Sequence, residues 1–222
     1  MNSDRRFVLK LLVASVSTLL VTPPLVSRAS ALGTSGASDS LATGTAATLE
    51  AFADTLIPGQ RRFPGDYAIA GVVQGPGAVQ AGVIDVLTSP LLPARPALNL
   101  IASLLNARAI AYAALHLLPL PVTLPAMVGL SFRHRTNLVV GLFEEEDLDR
   151  KIWQVMSLLV SVAFDTAGHL NTATAVAGTH AGLTWLGFPQ PDPDGKWRFS
   201  DFSYGIALAD LHPNTDSSGG PA

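Results

Sequence analysis

Apolar residues recur at helical spacing along much of the chain, and the clearest example is the stretch TLEAFADTLIPG. One apolar stripe runs through it, made by Leu49, Phe52, Ala53, Leu56 and Ile57. Thr48 is a candidate N-cap, and Pro58-Gly59 end the predicted helix. A second helix is predicted in GPGAVQAGVIDVLTS, with Pro76 in its first turn and an apolar face made by Val79, Val83, Val86 and Leu87.

The stretch ALNLIASLLNARAIAYAALHLL is apolar nearly all round. Such a helix is either a membrane span or the centre of a helical bundle. Arg108 lies near its middle, where a charge would be expensive in lipid. We therefore expect protein to surround this helix, and we expect no membrane span in the mature chain.

Two further helices are predicted in FRHRTNLVVGLFEEED and LDRKIWQVMSLLVSVAFDTAGHL. In the second, one stripe consists of Leu148, Ile152, Val155, Leu159 and Val162. Further apolar residues lie off this stripe, namely Trp153, Met156, Val160 and Phe164. Because apolar residues occur on several sides, we expect this helix also to be central.

After Gly178 the sequence becomes rich in turns and aromatic residues, with turns at Pro191-Asp192 and Asp194-Gly195. The tail over residues 213–222 is predicted to be disordered. A strand-like alternation of useful length is absent from the sequence. The pattern therefore predicts an all-α fold, a single helical bundle over residues 45–212 that includes an irregular, aromatic-rich C-terminal extension.

The first 31 residues have the three parts of an export signal. Arg5, Arg6 and Lys10 supply positive charge, an apolar run follows over residues 11–21, and Ala29-Ser30-Ala31 is the cleavage site. A general secretory signal would need no arginine pair. Here the pair precedes Phe7-Val8-Leu9-Lys10, which resembles the twin-arginine pattern R-R-x-F-L-K with valine in place of phenylalanine. We expect twin-arginine export, followed by a flexible linker over residues 32–44.

Charge and cysteine content exclude several classes of function. The signal holds four of the 14 basic and one of the 17 acidic residues, which leaves ten basic and sixteen acidic residues and a net charge of −6. An acidic chain without a basic patch argues against nucleic-acid binding. The absence of cysteine excludes disulfides, thiolate nucleophiles and c-type haem. Only 14% of residues are charged, which is typical of a chain that is large, lies on a membrane or has part of its surface covered by a partner.

Candidate chemistry is sparse. Asp165 and His169 are four residues apart, so on one helix they would share a face as a carboxylate-oriented base or a metal ligand; a structural polar pair is the favoured interpretation. Arg133, His134 and Arg135 are expected to pair with Asp149, Asp165 or a partner's carboxylate. The run EEED is interpreted as a solvated charge run whose Asp147 caps the next helix. The sequence thus predicts no catalytic, cofactor-binding or metal-binding residue on this chain.

The helix TLEAFADTLIPG, followed at a distance by PGAVQAGVIDVL, resembles the start of the gluconate 2-dehydrogenase subunit 3 family. The matching residues are Asp54, Leu56, Ile57, Pro58, Pro76, Gly77, Ala78, Val83 and Ile84. The resemblance covers residues 45–88, and SFRHRTNLVVGLF is similar to the family's central arginine-containing helix. The C-terminal region departs from the sugar-dehydrogenase members and is more similar to an actinobacterial branch, so the resemblance implies no particular substrate.

Members of that family are small accessory subunits of FAD-dependent dehydrogenases. The resemblance implies that FAD lies on a catalytic partner of the glucose–methanol–choline type and that this chain carries no cofactor. It also implies that the partner lacks a signal and crosses the membrane with this chain, already folded, through the twin-arginine translocase. The expected location is the periplasm, the cell envelope or the extracellular space.

The aromatic residues near the C-terminus are the predicted partner interface, and they are Trp185, Phe188, Trp197, Phe199, Phe202 and Tyr204. The alternative is that this segment covers the chain's own core. Two other functions stay open: a stand-alone exported helical enzyme using Asp165 and His169, and a cofactor-free binding protein whose Trp185 and Trp197 stack on a sugar or lipid.

Overall fold

The computed structural model describes residues 41–90, 92, 95–170, 174–175 and 180–189. Its α-helices are α1 (Thr43–Leu56), α2 (Val83–Thr88), α3 (Arg95–Leu115), α4 (Ala126–Gly129), α5 (Phe132–Leu142), α6 (Arg150–Ser161) and α7 (Ala181–Trp185), with a π-helical turn at Val162–Thr166 after α6. The described ranges contain no strand, so the predicted all-α fold is confirmed. All helices belong to one compact unit that ends at Leu186.

Helix α1 lies at the centre of the bundle and packs against α2, α3, α4, α5 and α6. Its apolar stripe is fully buried at Leu49, Phe52 and Ala53, and the ring of Phe52 lies 6.1 Å from that of Trp153 on α6. The helix begins at Thr43, five residues before the predicted N-cap. Thr48 is instead a buried residue inside the helix, where its hydroxyl donates to the Gly44 carbonyl.

Helix α3 is buried on one face. The inner face holds Leu98, Ile101, Ala102, Leu105, Ala109 and Ala113, all in the core, whereas Ser103, Ala107, Ile110, Ala111, Ala114 and Leu115 are exposed. The expectation that protein surrounds α3 is therefore wrong for its outer face. By length and composition alone, Ala97–Leu115 is the one described helix that could cross a membrane. Arg108 forms ion pairs with Asp147 and Asp149, each at 3.1 Å.

The buried face of helix α6 coincides only in part with the predicted stripe. Trp153, Met156 and Val160 are buried together with Ile152 and Leu159. Leu148 is 97% exposed, because the helix begins only at Arg150 and Leu148 lies in the turn before it. The predicted central position of α6 is correct, but its core residues are mainly those that the stripe left out.

Helix α2 is shorter than the sequence suggested. Residues 78–82 form turns, and Gly82 has a left-handed backbone with φ of 82°, so the regular helix begins at Val83. All four predicted apolar residues of this segment are nevertheless buried. The short helices α4 and α7 have no counterpart among the predicted elements.

Candidate interaction surface

The acidic residue of the Asp-Thr-Leu-Ile-Pro stretch is a structural anchor at the end of α1. Asp54 is 1% exposed, and its two carboxylate oxygens accept the backbone N–H groups of Gly59 at 3.1 Å and Ala70 at 2.8 Å. Burial raises the pKa of this carboxyl above its usual value, although the two hydrogen bonds and the charge of Arg135 act in the opposite direction. Asp54 thereby fixes both ends of the loop that follows α1.

The Pro-Gly-Ala stretch packs directly on the Leu-Ile-Pro stretch. The N–H of Ala78 donates to the carbonyl of Ile57 at 3.0 Å. A side chain at Gly77 would place its Cβ 2.5 Å from that same carbonyl oxygen, so only glycine fits here. Four of the residues that carry the resemblance, Ile57, Pro58, Gly77 and Ala78, therefore form one tightly packed backbone junction.

Arg135 of α5 holds the same loop from its other side. Its buried guanidinium donates to the carbonyls of Leu130, Ala68, Tyr67 and Val128 at 2.6–3.0 Å. Burial lowers the pKa of Arg135, and the charge of Asp54 opposes that shift. The prediction that Arg135 forms an ion pair with Asp149, Asp165 or a partner is wrong, because backbone carbonyls occupy its donors.

The other two residues of that basic cluster behave differently. His134 lies 3.2 Å from the hydroxyl of Tyr112, measured at Nδ1. Arg133 is exposed and forms no ion pair within the described part of the chain. Asp149 instead pairs with Arg108 of α3, and Asp147 accepts the backbone N–H of Asp149 at 2.8 Å. Asp147 thus shapes the turn before α6, where Asp149 is the N-cap residue.

Asp165 and His169 do not form the predicted pair. The π-helical turn that holds Asp165 ends at Thr166. Ala167 follows it with a left-handed φ of 49°, so the helix stops before it reaches His169. Asp165 is exposed, while the ring of His169 lies 5.8 Å from that of His180. The arrangement required for a base oriented by Asp165 is absent from the described structure.

His180 attaches α7 to the rest of the bundle. Its Nε2 lies 2.9 Å from the carbonyl of Ala81, and its Nδ1 accepts the N–H of Leu183 at 3.3 Å. In the tautomer with the proton on Nε2, the ring donates to the Ala81 carbonyl while Nδ1 accepts from Leu183. His169 beside it has a lowered pKa, chiefly through burial, with Asp85 opposing and His180 adding to the shift. No group of three or more metal-ligating side chains forms among the described residues.

Exposed apolar residues occur at the end of α7 and in the loop that it approaches. The indole of Trp185 lies against Gly75, where an added Cβ would be 2.7 Å from the ring, and 61% of the residue is still exposed. Val72 and Val73 shortly precede Gly75 in the chain and Leu186 follows Trp185, and all three are exposed. We call these four residues the Trp185 patch. Phe63 and Tyr67, in the loop that Asp54 and Arg135 hold, are also exposed.

An open groove of about 380 Å³ lies between the end of α1 and α5. It is lined by Thr55, Leu56, Thr136, Val139, Val140, Phe143 and Glu144. We call it the α1–α5 groove. Both threonine hydroxyls donate to carbonyls of their own helices, so the groove presents mainly apolar side chains with one carboxylate at its edge.

Comparison with known proteins adds one finding. A family described as a family of unknown function, DUF5987, matches residues 43–222. The chain belongs to this family. Neither a curated protein nor a solved structure matches the chain. The family match begins at the first residue of α1, so in this DUF5987 chain it includes the bundle and the aromatic C-terminal segment but not residues 1–42, where the export signal is predicted.

The predicted site residues of the DUF5987 chain are only partly described. Trp185 is in the Trp185 patch, and Phe188, in the C-terminal unit, is also exposed. The other predicted interface residues, Trp197, Phe199, Phe202 and Tyr204, lie outside the described residues, as do the residues of the predicted export signal, Arg5, Arg6, Lys10, Ala29 and Ala31. Sequence reasoning missed Val72 and Val73, although two adjacent valines in a glycine-rich loop were a visible signal.

Proposed function

We propose that this chain is the non-catalytic small subunit and export escort of an FAD-dependent oxidoreductase of the glucose–methanol–choline type. The observation that carries the proposal is the Trp185 patch, in which a large aromatic side chain stays exposed against the loop that carries two exposed valines. Tryptophan is enriched at the energetic centres of protein interfaces. Contiguous exposed apolar residues in a folded domain mark a surface that another molecule covers.

The resemblance over residues 45–88 supplies the class of partner. Four of its matching residues form the junction between the end of α1 and the Pro-Gly-Ala stretch, and this junction supports the loop that leads to Val72 and Val73. In the proposal, FAD is bound by the partner, and this chain contributes a binding surface and the export signal.

Export as a complex follows from the chemistry of the cofactor. A flavoprotein acquires FAD in the cytoplasm and has to be folded to hold it. A twin-arginine signal on the small subunit, with Arg5 and Arg6 as its recognised pair, would serve both chains if they assemble before export. The complex would then work in the periplasm, the cell envelope or outside the cell.

The test is co-purification from the native host. An affinity-tagged chain should retain a larger protein with flavin absorbance, and mass spectrometry should identify that protein as a flavoprotein of this type without a signal of its own. Trp185→Ala should reduce the retained flavin. Recovery of the chain alone, under conditions that preserve weak complexes, would contradict the proposal.

A further inference from the structure

The lining of the α1–α5 groove ends in one acidic residue, which two further glutamates follow in sequence. Glu144 lines the groove itself, and Glu145 and Glu146 follow it; all three are exposed. Within the described residues, Glu144 and Glu146 form no ion pair, and Glu145 reaches only Arg150, at 4.0 Å. None of the groove's lining residues is basic. The groove therefore suits an apolar segment that carries positive charge at one end.

The size of the groove limits what it can hold. Its volume of about 380 Å³ is at the lower end of the roughly 300–1,000 Å³ of small-ligand pockets. A whole helix would not be enclosed, but a few aliphatic side chains would be. Val139 is buried at its base, and Val140 is exposed at its edge, so the surface that an occupant would cover is aliphatic.

A segment with the matching chemistry precedes α1 in this same chain. Arg5, Arg6 and Lys10 stand immediately before the apolar run at residues 11–21. Acidic side chains are absent from residues 5–38, so no carboxylate in that stretch would repel the glutamates. The order of charge and apolar residues in this segment complements the order of glutamates and aliphatic residues in the groove.

The chain length between the apolar run and α1 permits the contact. The groove lies at Thr55, 12 residues after the start of α1 at Thr43, which is about 18 Å along a helix. Residues 22–42 form the connection, and a flexible chain of that length has an end-to-end distance of roughly 25 Å. The distance to be crossed is similar to the end-to-end distance of the connecting chain. The effective concentration of the apolar run at the groove is therefore of millimolar order, so even a weak contact would be populated.

We infer that residues 5–21 of the precursor dock on the α1–α5 groove, with the apolar run on its aliphatic surface and the basic residues against Glu144, Glu145 and Glu146. The groove joins residues of α1 to residues some eighty positions later on α5, so it exists only after the bundle has folded. Docking would therefore occur in folded precursor. The inference rests on the proposed export function for its biological role, but the contact itself depends only on residues 5–21 and the groove.

Disulfide trapping in the purified precursor tests the contact. The chain has no cysteine, so each variant carries only its introduced pair. Val140→Cys is combined in turn with Leu12→Cys, Val16→Cys and Leu20→Cys, which together sample the apolar run. Ser103→Cys on α3 replaces Val140→Cys as the control, because Ser103 is exposed and bonded to Asn99, which contacts Thr45 near the start of α1. The control is thus close to the attachment point of the segment.

We expect at least one Val140 pair to close intramolecularly at least about tenfold faster than its Ser103 counterpart, a ratio that corresponds to 1.4 kcal/mol. Glu144→Gln should slow closure about two- to fivefold, the range for one exposed ion pair. Asp165→Asn removes an exposed carboxylate elsewhere and should leave the rate unchanged. Raising the salt to about 1 M, where the Debye length is near 3 Å, should slow closure as well.

Equal rates at Val140 and Ser103 for all three pairs would overturn the inference, as would faster closure at Ser103. Disulfide-linked dimers in place of the intramolecular product would assign the groove to a second copy of the chain. The export function is tested separately by Arg5→Lys with Arg6→Lys. Those lysines keep the charge, so trapping should persist even where export is lost, and the two ideas can fail independently.

Discussion

Arg135 shows how a charged side chain can be buried without a carboxylate beside it. Its donors reach four carbonyls, two in the loop after α1 and two near the start of α5. Without the guanidinium, these buried acceptors would lose their partners, and each unsatisfied group costs about 1–3 kcal/mol. Arg135 therefore decides whether the loop beneath Tyr67 keeps its conformation.

Arg135→Met is expected to lower the free energy of unfolding by at least about 3 kcal/mol, since several buried acceptors lose their partner together. Denaturant unfolding of the isolated chain measures this. Arg133→Met is the matched control, because Arg133 is exposed on the same turn of helix, and it should change stability by no more than about 0.5 kcal/mol. Similar losses in both variants would show that the carbonyl contacts of Arg135 do not stabilise the fold.

His169 predicts the direction of a pH effect. Its pKa in the folded chain is lower than the ordinary 6.5, so below that value the unfolded state binds more protons than the folded one. The contribution of His169 to the free energy of unfolding is therefore fully present above pH 6.5. It is lost as the pH falls from there towards the pKa of His169 in the folded state. Unfolding measured at several pH values in wild type and His169→Gln should show a smaller loss in the variant. Identical pH profiles would contradict this account.

At the scale of elements, the positions of most helices follow from sequence, and their ends and faces do not. The apolar stripe of α1 is the buried stripe. The predicted helix ends were wrong where the backbone conformation interrupts a helix that the apolar pattern would continue. This happens at Gly82 and Ala167, whose left-handed backbones cannot be seen in an apolar pattern. The prediction that Asp165 and His169 form a pair was wrong for this reason.

Contacts between residues distant in sequence were the other feature that could not be predicted from the sequence. Leu148 matched the predicted stripe of α6 but lies outside the helix. Arg135 was expected to form an ion pair with a carboxylate, because the sequence cannot show that four backbone carbonyls surround its guanidinium. Helix α3 is apolar nearly all round in sequence and was expected to be surrounded by protein, yet its outer face is exposed. The Trp185 patch depends on the approach of α7 to Gly75, which residues 110 positions apart do not reveal.

Helix α7 and its Trp185 give a prediction about binding. Because Trp185 is largely exposed, Trp185→Ala should leave the unfolding free energy of the isolated chain within about 0.5 kcal/mol. It should weaken binding of the flavoprotein at least about tenfold, as truncation of an interface tryptophan often costs 2 kcal/mol or more. Leu115→Ala, at another exposed apolar site, is the control for both measurements. Loss of stability with unchanged affinity would assign Trp185 to the fold alone.

For the whole molecule, the proposal joins two surfaces with different roles. The Trp185 patch would bind the flavoprotein, and the α1–α5 groove would hold the export segment before translocation. The central claim is that the export signal of this chain directs the export of both this chain and the flavoprotein. It predicts that a change confined to residues 5 and 6 of this chain alters the location of the flavoprotein, which is a separate chain.

The most direct measurement is the location of the flavoprotein in cells that express the Arg5→Lys, Arg6→Lys variant. The lysines keep the positive charge of the segment but remove the recognised pair. The account predicts that both chains stay in the cytoplasm as a folded complex with bound flavin, while cells with the wild-type chain export both. Normal export of the flavoprotein beside the retained variant would contradict it.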